Sequence, residues 1–121
     1  MAFILVVDDD PWVRKVFTQI LQTEGHEILC AEDGEQGLTL YKHNDFDLVI
    51  TDMIMPIKDG LKMIMELKRD DPDAKIIAIS GGGVIEAERY LNLADTIGAQ
   101  KNLTKPVTKD DLLGAVAEIL V

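Results

Sequence analysis

The sequence predicts an α/β domain, a parallel sheet with helices on both faces, formed as one unit across residues 1–121. Three observations predict it. Short continuous apolar runs recur along the chain, and each is followed by a segment of helical periodicity. The connections are short, so successive strands must run parallel and cross over right-handed. An apolar fraction of 47% fills one core, and no linker, matching repeat or low-complexity tract divides the chain.

Phe3 to Val7 is an apolar run ending in carboxylates, the pattern of a strand buried on both faces. Pro11 suits a first helical turn with Asp10 as its cap. Val13, Val16, Phe17, Ile20 and Leu21 form one apolar stripe, and Gly25 ends that helix. Residues 26–31 read as a strand, with Cys30 as a core thiol, and 35–43 as a helix turning Leu38 and Tyr41 inward. Residues 47–51 form the third strand. Asp59-Gly60 opens a helix with Leu61, Ile64 and Met65 on one face. Residues 74–79 form the fourth strand, and Gly81-Gly82-Gly83 a loop. Ala87, Tyr90, Leu91, Ala94 and Ile97 mark a fourth helix. Residues 100–103 are a weak, polar edge strand. Residues 110–120 close the chain as a helix carrying Leu113, Val116, Ala117 and Leu120.

Charge narrows the possible partners. The chain carries 22 acidic and 12 basic residues, a formal net of −10. Such a surface repels phosphate backbones and anionic membranes, so direct nucleic-acid or membrane binding is not expected. One cysteine excludes a disulfide framework, and no apolar stretch approaches a membrane span. A cytoplasmic location is expected.

In parallel sheets of this kind ligands bind beyond the carboxyl ends of the strands. The first strand ends in Asp8-Asp9-Asp10, the third in Asp52, the fourth in Ser80, and the fifth runs into Lys105-Pro106. Carboxylates gathered in one crevice repel each other unless a cation neutralises them, and hard oxygen ligands suit Mg²⁺. A lysine and a hydroxyl complement a phosphoryl group by charge and by hydrogen bond. Together these residues describe an aspartyl-phosphate site. Each alone is ordinary: an Asp run is usually a cap, a serine a loop hydroxyl, a lysine a surface charge. Four strand ends agreeing on one chemistry is the signal.

The segments Ile4-Leu5-Val6-Val7-Asp8-Asp9-Asp10, Leu48 to Pro56, Asp59-Gly60, Ala78-Ile79-Ser80-Gly81 and Lys105-Pro106 resemble, in order and spacing, the receiver domain of two-component response regulators. The resemblance covers essentially the whole chain. It implies a flavodoxin-like sheet of order 2-1-3-4-5, with Asp52 as the phosphoacceptor. It implies Asp9 and Asp52 as Mg²⁺ ligands together with the Ile54 carbonyl, and Asp8 acting through water. Ser80 and Lys105 would then bind the phosphoryl oxygens. A histidine kinase or histidine phosphotransfer protein would be the phosphodonor, and a downstream protein the target. Receivers often have a cis peptide before the proline of the lysine-proline pair, here Pro106. The chain departs from the pattern at Asn102, where receivers usually carry Tyr or Phe. A readout through an aromatic rotamer is therefore not expected, and the switch is expected at residues 81–83 and the helix that follows.

Two other classes share part of this chemistry. A Mg²⁺-dependent phosphatase of haloacid-dehalogenase type also uses Asp-x-Asp after its first strand, but Pro11-Trp12 stands where that motif has a small hydroxyl residue. A docking module that has lost phosphorylation would not need Asp9, Asp52, Ser80 and Lys105 intact. The glycine run lacks the Lys-Ser/Thr of a P-loop. His26 and His43 have no ligand-spaced partner.

Overall fold

The computed structural model describes residues 1–53, 60–80 and 98–120. Five parallel strands form one sheet: β1 (Phe3–Val7), β2 (Glu27–Ala31), β3 (Leu48–Asp52), β4 (Ile76–Ser80) and β5 (Lys101–Thr104). Their order is β2-β1-β3-β4-β5, as the resemblance implied. Four helices are described: α1 (Pro11–Thr23), α2 (Gly34–His43), α3 (Gly60–Asp70) and α4 (Lys109–Leu120). The helix expected around Ala87 to Ile97 lies outside the described residues.

Alternation along the strands splits the apolar side chains between two cores. Leu5, Val7, Val49, Met53, Ile76 and Ala78 face α2 and α3, where they meet Leu38, Met63, Ile64 and Leu67. Ile4, Val6, Ile50, Ile77 and Ile79 face α1 and α4, where they meet Phe17, Leu21, Leu112 and Val116. β3 and β4 are buried along their whole length, as covered parallel strands should be. β5 is polar and lies at the edge, as expected.

Local sequence sets the helix ends. Asp10 caps α1, its Oδ1 accepting from Trp12 N–H at 2.9 Å, and Asp33 caps α2 by accepting from Gln36 N–H at 2.9 Å. Such caps contribute about 1 kcal/mol each. Gly25 follows α1 with φ of +86°, a left-handed position that glycine takes without strain.

Three expectations need correction. Cys30 is exposed rather than a core thiol, on the edge strand β2; its Sγ lies 3.3 Å from Thr18 Oγ1. Met65 points outward at 54% exposure, and α3 instead buries Met63, Ile64 and Leu67. α4 buries Leu112, Ala115 and Val116, while Ala117 is exposed. β3 ends on Asp52, as expected.

Candidate functional site

The carboxyl ends of β1, β3 and β5 bring Asp8, Asp9, Asp52 and Lys105 together. One carboxylate oxygen from each of the three aspartates lies within 4.8 Å of the other two. Asp8 and Asp52 are buried, at 2% and 7% exposure, while Asp9 is exposed. Lys105 Nζ donates to Asp8 Oδ2 at 3.2 Å and to Asp52 Oδ2 at 3.3 Å. A single cation thus bridges two buried anions from different strands.

The backbone holds each group in place. Asp8 N–H donates to the Ala31 carbonyl at 3.1 Å, continuing the sheet one residue past β1. Asp8 Oδ1 then accepts from Asp10 N–H at 2.9 Å, which turns the chain into α1. Arg14, one turn into α1, donates from Nη1 to the Asp8 carbonyl at 2.7 Å. At Asp52 the carbonyl accepts from Thr51 Oγ1 at 2.9 Å. Gly60 packs directly beneath: a Cβ there would fall on the Asp52 carbonyl oxygen. Lys105 N–H donates to the Ser80 carbonyl at 2.7 Å, and the peptide between Lys105 and Pro106 is cis.

Burial pushes the Asp8 carboxyl above the ordinary carboxylate range. The hydrogen bond from Asp10 N–H and the ammonium of Lys105 only partly offset that, and the charge of Asp9 adds to it. Burial alone would pull the Lys105 ammonium down, but the carboxylates of Asp52 and Asp8 reverse the direction and hold it above the ordinary lysine value. Among the described residues, three carboxylates thus meet one lysine in the crevice. Three convergent carboxylates offer hard oxygen donors, so the donor set fits a divalent cation such as Mg²⁺.

Ser80 reaches the same rim at the end of β4 and is buried, yet its Oγ has no hydrogen-bond partner. Ile54, Asp59 and the glycine run at 81–83 lie outside the described residues. Sequence reasoning missed Arg14. Its signal was its place on the first turn of α1, within reach of the chain that carries the aspartates. It also missed how closely Gly60 underlies Asp52, since a glycine opening a helix carries no mark of what packs on it. His26 has a structural part, its Nδ1 accepting from Ala2 N–H at 3.0 Å.

Comparison with known proteins agrees with this geometry. The family model of the response regulator receiver domain matches residues 4–117. The chain is 34% identical to the chemotaxis protein CheY of Halobacterium salinarum, covering 97% of this chain and 95% of that protein. It is 35% identical to CheY of Bacillus subtilis, covering 97% and 96%. It also matches the transcriptional regulatory protein GlrR of Escherichia coli at 32% identity over 98% of this chain, spanning 26% of that longer protein. A CheY-like receiver from Methanospirillum hungatei superposes with a TM-score of 0.91 at 29% identity, covering 99% of this chain and 94% of that one. The response regulator TrrA of Thermotoga maritima, solved in complex with Mg²⁺ and BeF, superposes at 0.87 with 34% identity, covering 98% and 99%. Receivers of this kind are signalling switches, and with the match running from β1 into α4 this chain belongs to the response regulator receiver domain family.

Proposed function

We propose that the chain is a phosphoacceptor receiver in two-component signal transduction, read as one domain over residues 1–121, with Asp52 as the residue modified. The observation that carries this is the bridge from Lys105 to Asp52 and Asp8 within a cluster of three carboxylates. A buried aspartate at a strand end, crowded by like charge and bonded to Lys105, is poised to exchange repulsion for a bound cation and phosphoryl group.

In the proposed reaction a carboxylate oxygen of Asp52 attacks the phosphorus of a phosphohistidine. A P–O bond forms, the P–N bond breaks, and the leaving imidazole takes up a proton. The phosphodonor is a histidine kinase or a histidine phosphotransfer protein. Asp8, Asp9 and Asp52, with the Ile54 carbonyl, would hold Mg²⁺, which supplies charge neutralisation for the carboxylates and the phosphoryl oxygens. Lys105 shifts its hydrogen bonds from the carboxylates to the phosphoryl oxygens, and the Ser80 hydroxyl donates to another of them. The altered Ser80 and its neighbours change the affinity for a downstream protein. The chain catalyses only its own phosphoryl uptake and slow loss, in the cytoplasm. With a net charge of −10 its partners are proteins and not nucleic acid or membrane. Among the described residues no helix is long and apolar enough to cross a membrane.

Intact mass after incubation with acetyl phosphate and Mg²⁺ tests this reading. The unmodified sequence should gain about 80 Da, one phosphoryl group, and Asp52→Asn nothing. Equal labelling of Asp52→Asn would place the nucleophile elsewhere, with Asp8 first, as a phosphatase of haloacid-dehalogenase type would require.

A further inference from the structure

Among the described residues two buried side-chain polar atoms have no hydrogen-bond partner, Ser80 Oγ and Asn102 Oδ1. They lie on the same face of the sheet. Asn102 is directly opposite Ala78, and Ser80 is opposite Thr104, so Ser80 and Asn102 are diagonal neighbours across β4 and β5. Leu103, opposite Ile79, points to the other face, into the core beneath α1 and α4. Strands about 4.8 Å apart and a rise of about 6.6 Å over two residues put diagonal Cβ atoms on the order of 8 Å apart. Ala78, opposite Asn102 and two residues before Ser80, presents only a methyl on that face and is itself fully buried. A hydroxyl and a carboxamide reaching inward across this span leave the width of one water, with two hydrogen bonds of about 2.8 Å.

An orphaned buried polar group costs about 1–3 kcal/mol, and native proteins pair nearly all of them. Two such atoms on diagonal positions of one face can satisfy each other through a shared water. We infer that the Ser80 hydroxyl and the Asn102 carboxamide share one buried water when Asp52 is unmodified, and that Asn102 is thereby a positioning residue for Ser80. Asp52 is paired with Ile79 and belongs to the opposite face of the sheet, so the Ser80 hydroxyl has two competing destinations. One rotamer turns it inward to Asn102, and another turns it out to a phosphoryl group on Asp52. Asn102 opposes the second. This part rests on the phosphoacceptor reading of Asp52, whereas the pairing itself does not.

Two measurements separate the parts. In the ligand-free protein, urea unfolding of Ser80→Ala, Asn102→Leu and the double variant reads the pairing, with Asn102→Ala replacing Asn102→Leu should the larger side chain prevent folding. Each single change strands one polar atom and the double change strands none, so the midpoint shifts should sum to clearly more than the shift of the double variant. Additive shifts overturn the pairing. Calorimetric titration with beryllofluoride in saturating Mg²⁺ then reads the positioning. Asn102→Leu should bind about five times more tightly, the size expected from releasing one modest hydrogen bond. In the Ser80→Ala background the same change should leave affinity within about twofold. An affinity indifferent to Asn102 while Ser80 is present overturns the positioning role. Failure of the unmodified sequence to bind beryllofluoride at all would overturn the phosphoacceptor reading instead, and the unfolding cycle would still decide the pair.

Discussion

The two ends of the sheet are made from the same strands and treat charge in opposite ways. At the amino end the polar groups find partners. Asp47 Oδ2 accepts from Phe3 N–H at 2.8 Å, and the Tyr41 hydroxyl donates to Asp71 Oδ2 at 2.7 Å. Gln100 closes the end of β4 twice, accepting from Ile76 N–H at 2.8 Å and donating to the Ala74 carbonyl at 3.1 Å. At the carboxyl end, among the described residues, three aspartates crowd one lysine, and the Ser80 hydroxyl has no partner. The difference teaches where to look for function. Satisfied polar groups hold the fold, while clustered like charges persist where a ligand completes them. Substitutions at the amino end should therefore only destabilise. At the carboxyl end the sign depends on which charge is removed.

The largest effect is expected at Gly60. A side chain there meets the backbone of Asp52 and Met53, which cannot yield as a flexible side chain would. Gly60→Ala should cost about 3 kcal/mol or more in urea unfolding, in the range of overpacking and backbone clashes. A shift under about 1 kcal/mol would show that the floor of the crevice is softer than its packing implies.

Next comes Lys105→Met, which keeps the aliphatic stem and removes the cation. Two buried carboxylates then lose the cation they share, and the loss should approach about 2 kcal/mol, below the range for a fully buried pair because the lysine is partly exposed. Saturating Mg²⁺ should recover much of this loss. A Lys105→Met protein as stable as the unmodified one without Mg²⁺ would show that the carboxylates do not need their lysine.

A smaller effect is expected at the opposite end. Tyr41→Phe removes one hydrogen bond to a carboxylate and should cost about 1 kcal/mol at neutral pH, independent of Mg²⁺. Burial, and then the bond to Asp71, push the Tyr41 hydroxyl above its ordinary value of 10.0. Its contribution is thus fully present below pH 10.0 and lost as pH rises through the raised value. The gap between Tyr41→Phe and the unmodified sequence should narrow above pH 10.0, and a gap that stays constant there would contradict the cause assigned to the shift.

The smallest signal is optical. Trp12 is 67% exposed and lines a shallow groove with Val13, Val16, Lys105 and Pro106. Its emission should change slightly with Mg²⁺ and then with beryllofluoride, and Asp52→Asn should abolish only the second step. A beryllofluoride response surviving in Asp52→Asn would move the site.

Much of this contrast was legible before any coordinates. The aspartates and Lys105 stand at strand ends, and a parallel sheet gathers such ends at one rim whatever the details of packing. What escaped was orientation. On α4 the expected Val116 is buried and Leu113 and Leu120 pack against the core, but Ala117 is exposed and Leu112 and Ala115 are buried instead, because apolar residues surround most of that helix. Met65 was misplaced on α3 for the same reason, since Met63 one position away from its neighbour Ile64 fits the period equally well. Cys30 sits in an apolar run, but a run does not say whether its strand is central or at an edge. The two orphaned atoms at Ser80 and Asn102 depend on strand register, which a single sequence does not specify.

Melting temperature with and without Mg²⁺, compared between the unmodified sequence and Asp8→Asn, tests the central claim most directly. The raised Asp8 carboxyl favours the protonated form in the folded state. Its contribution to stability is present below the ordinary value of 3.8 and lost as pH rises through the raised one, so the ionised group opposes folding at neutral pH. Asn copies the neutral form and can still accept from Asp10 N–H. Without Mg²⁺, Asp8→Asn should therefore melt a few degrees higher than the unmodified sequence at pH 7. Mg²⁺ should raise the unmodified sequence by a similar amount and the variant by less, because part of the repulsion is already gone. A variant that melts lower without Mg²⁺ and responds to it equally would contradict the claim, making Asp8 a structural acceptor and the crowded rim no site for a cation.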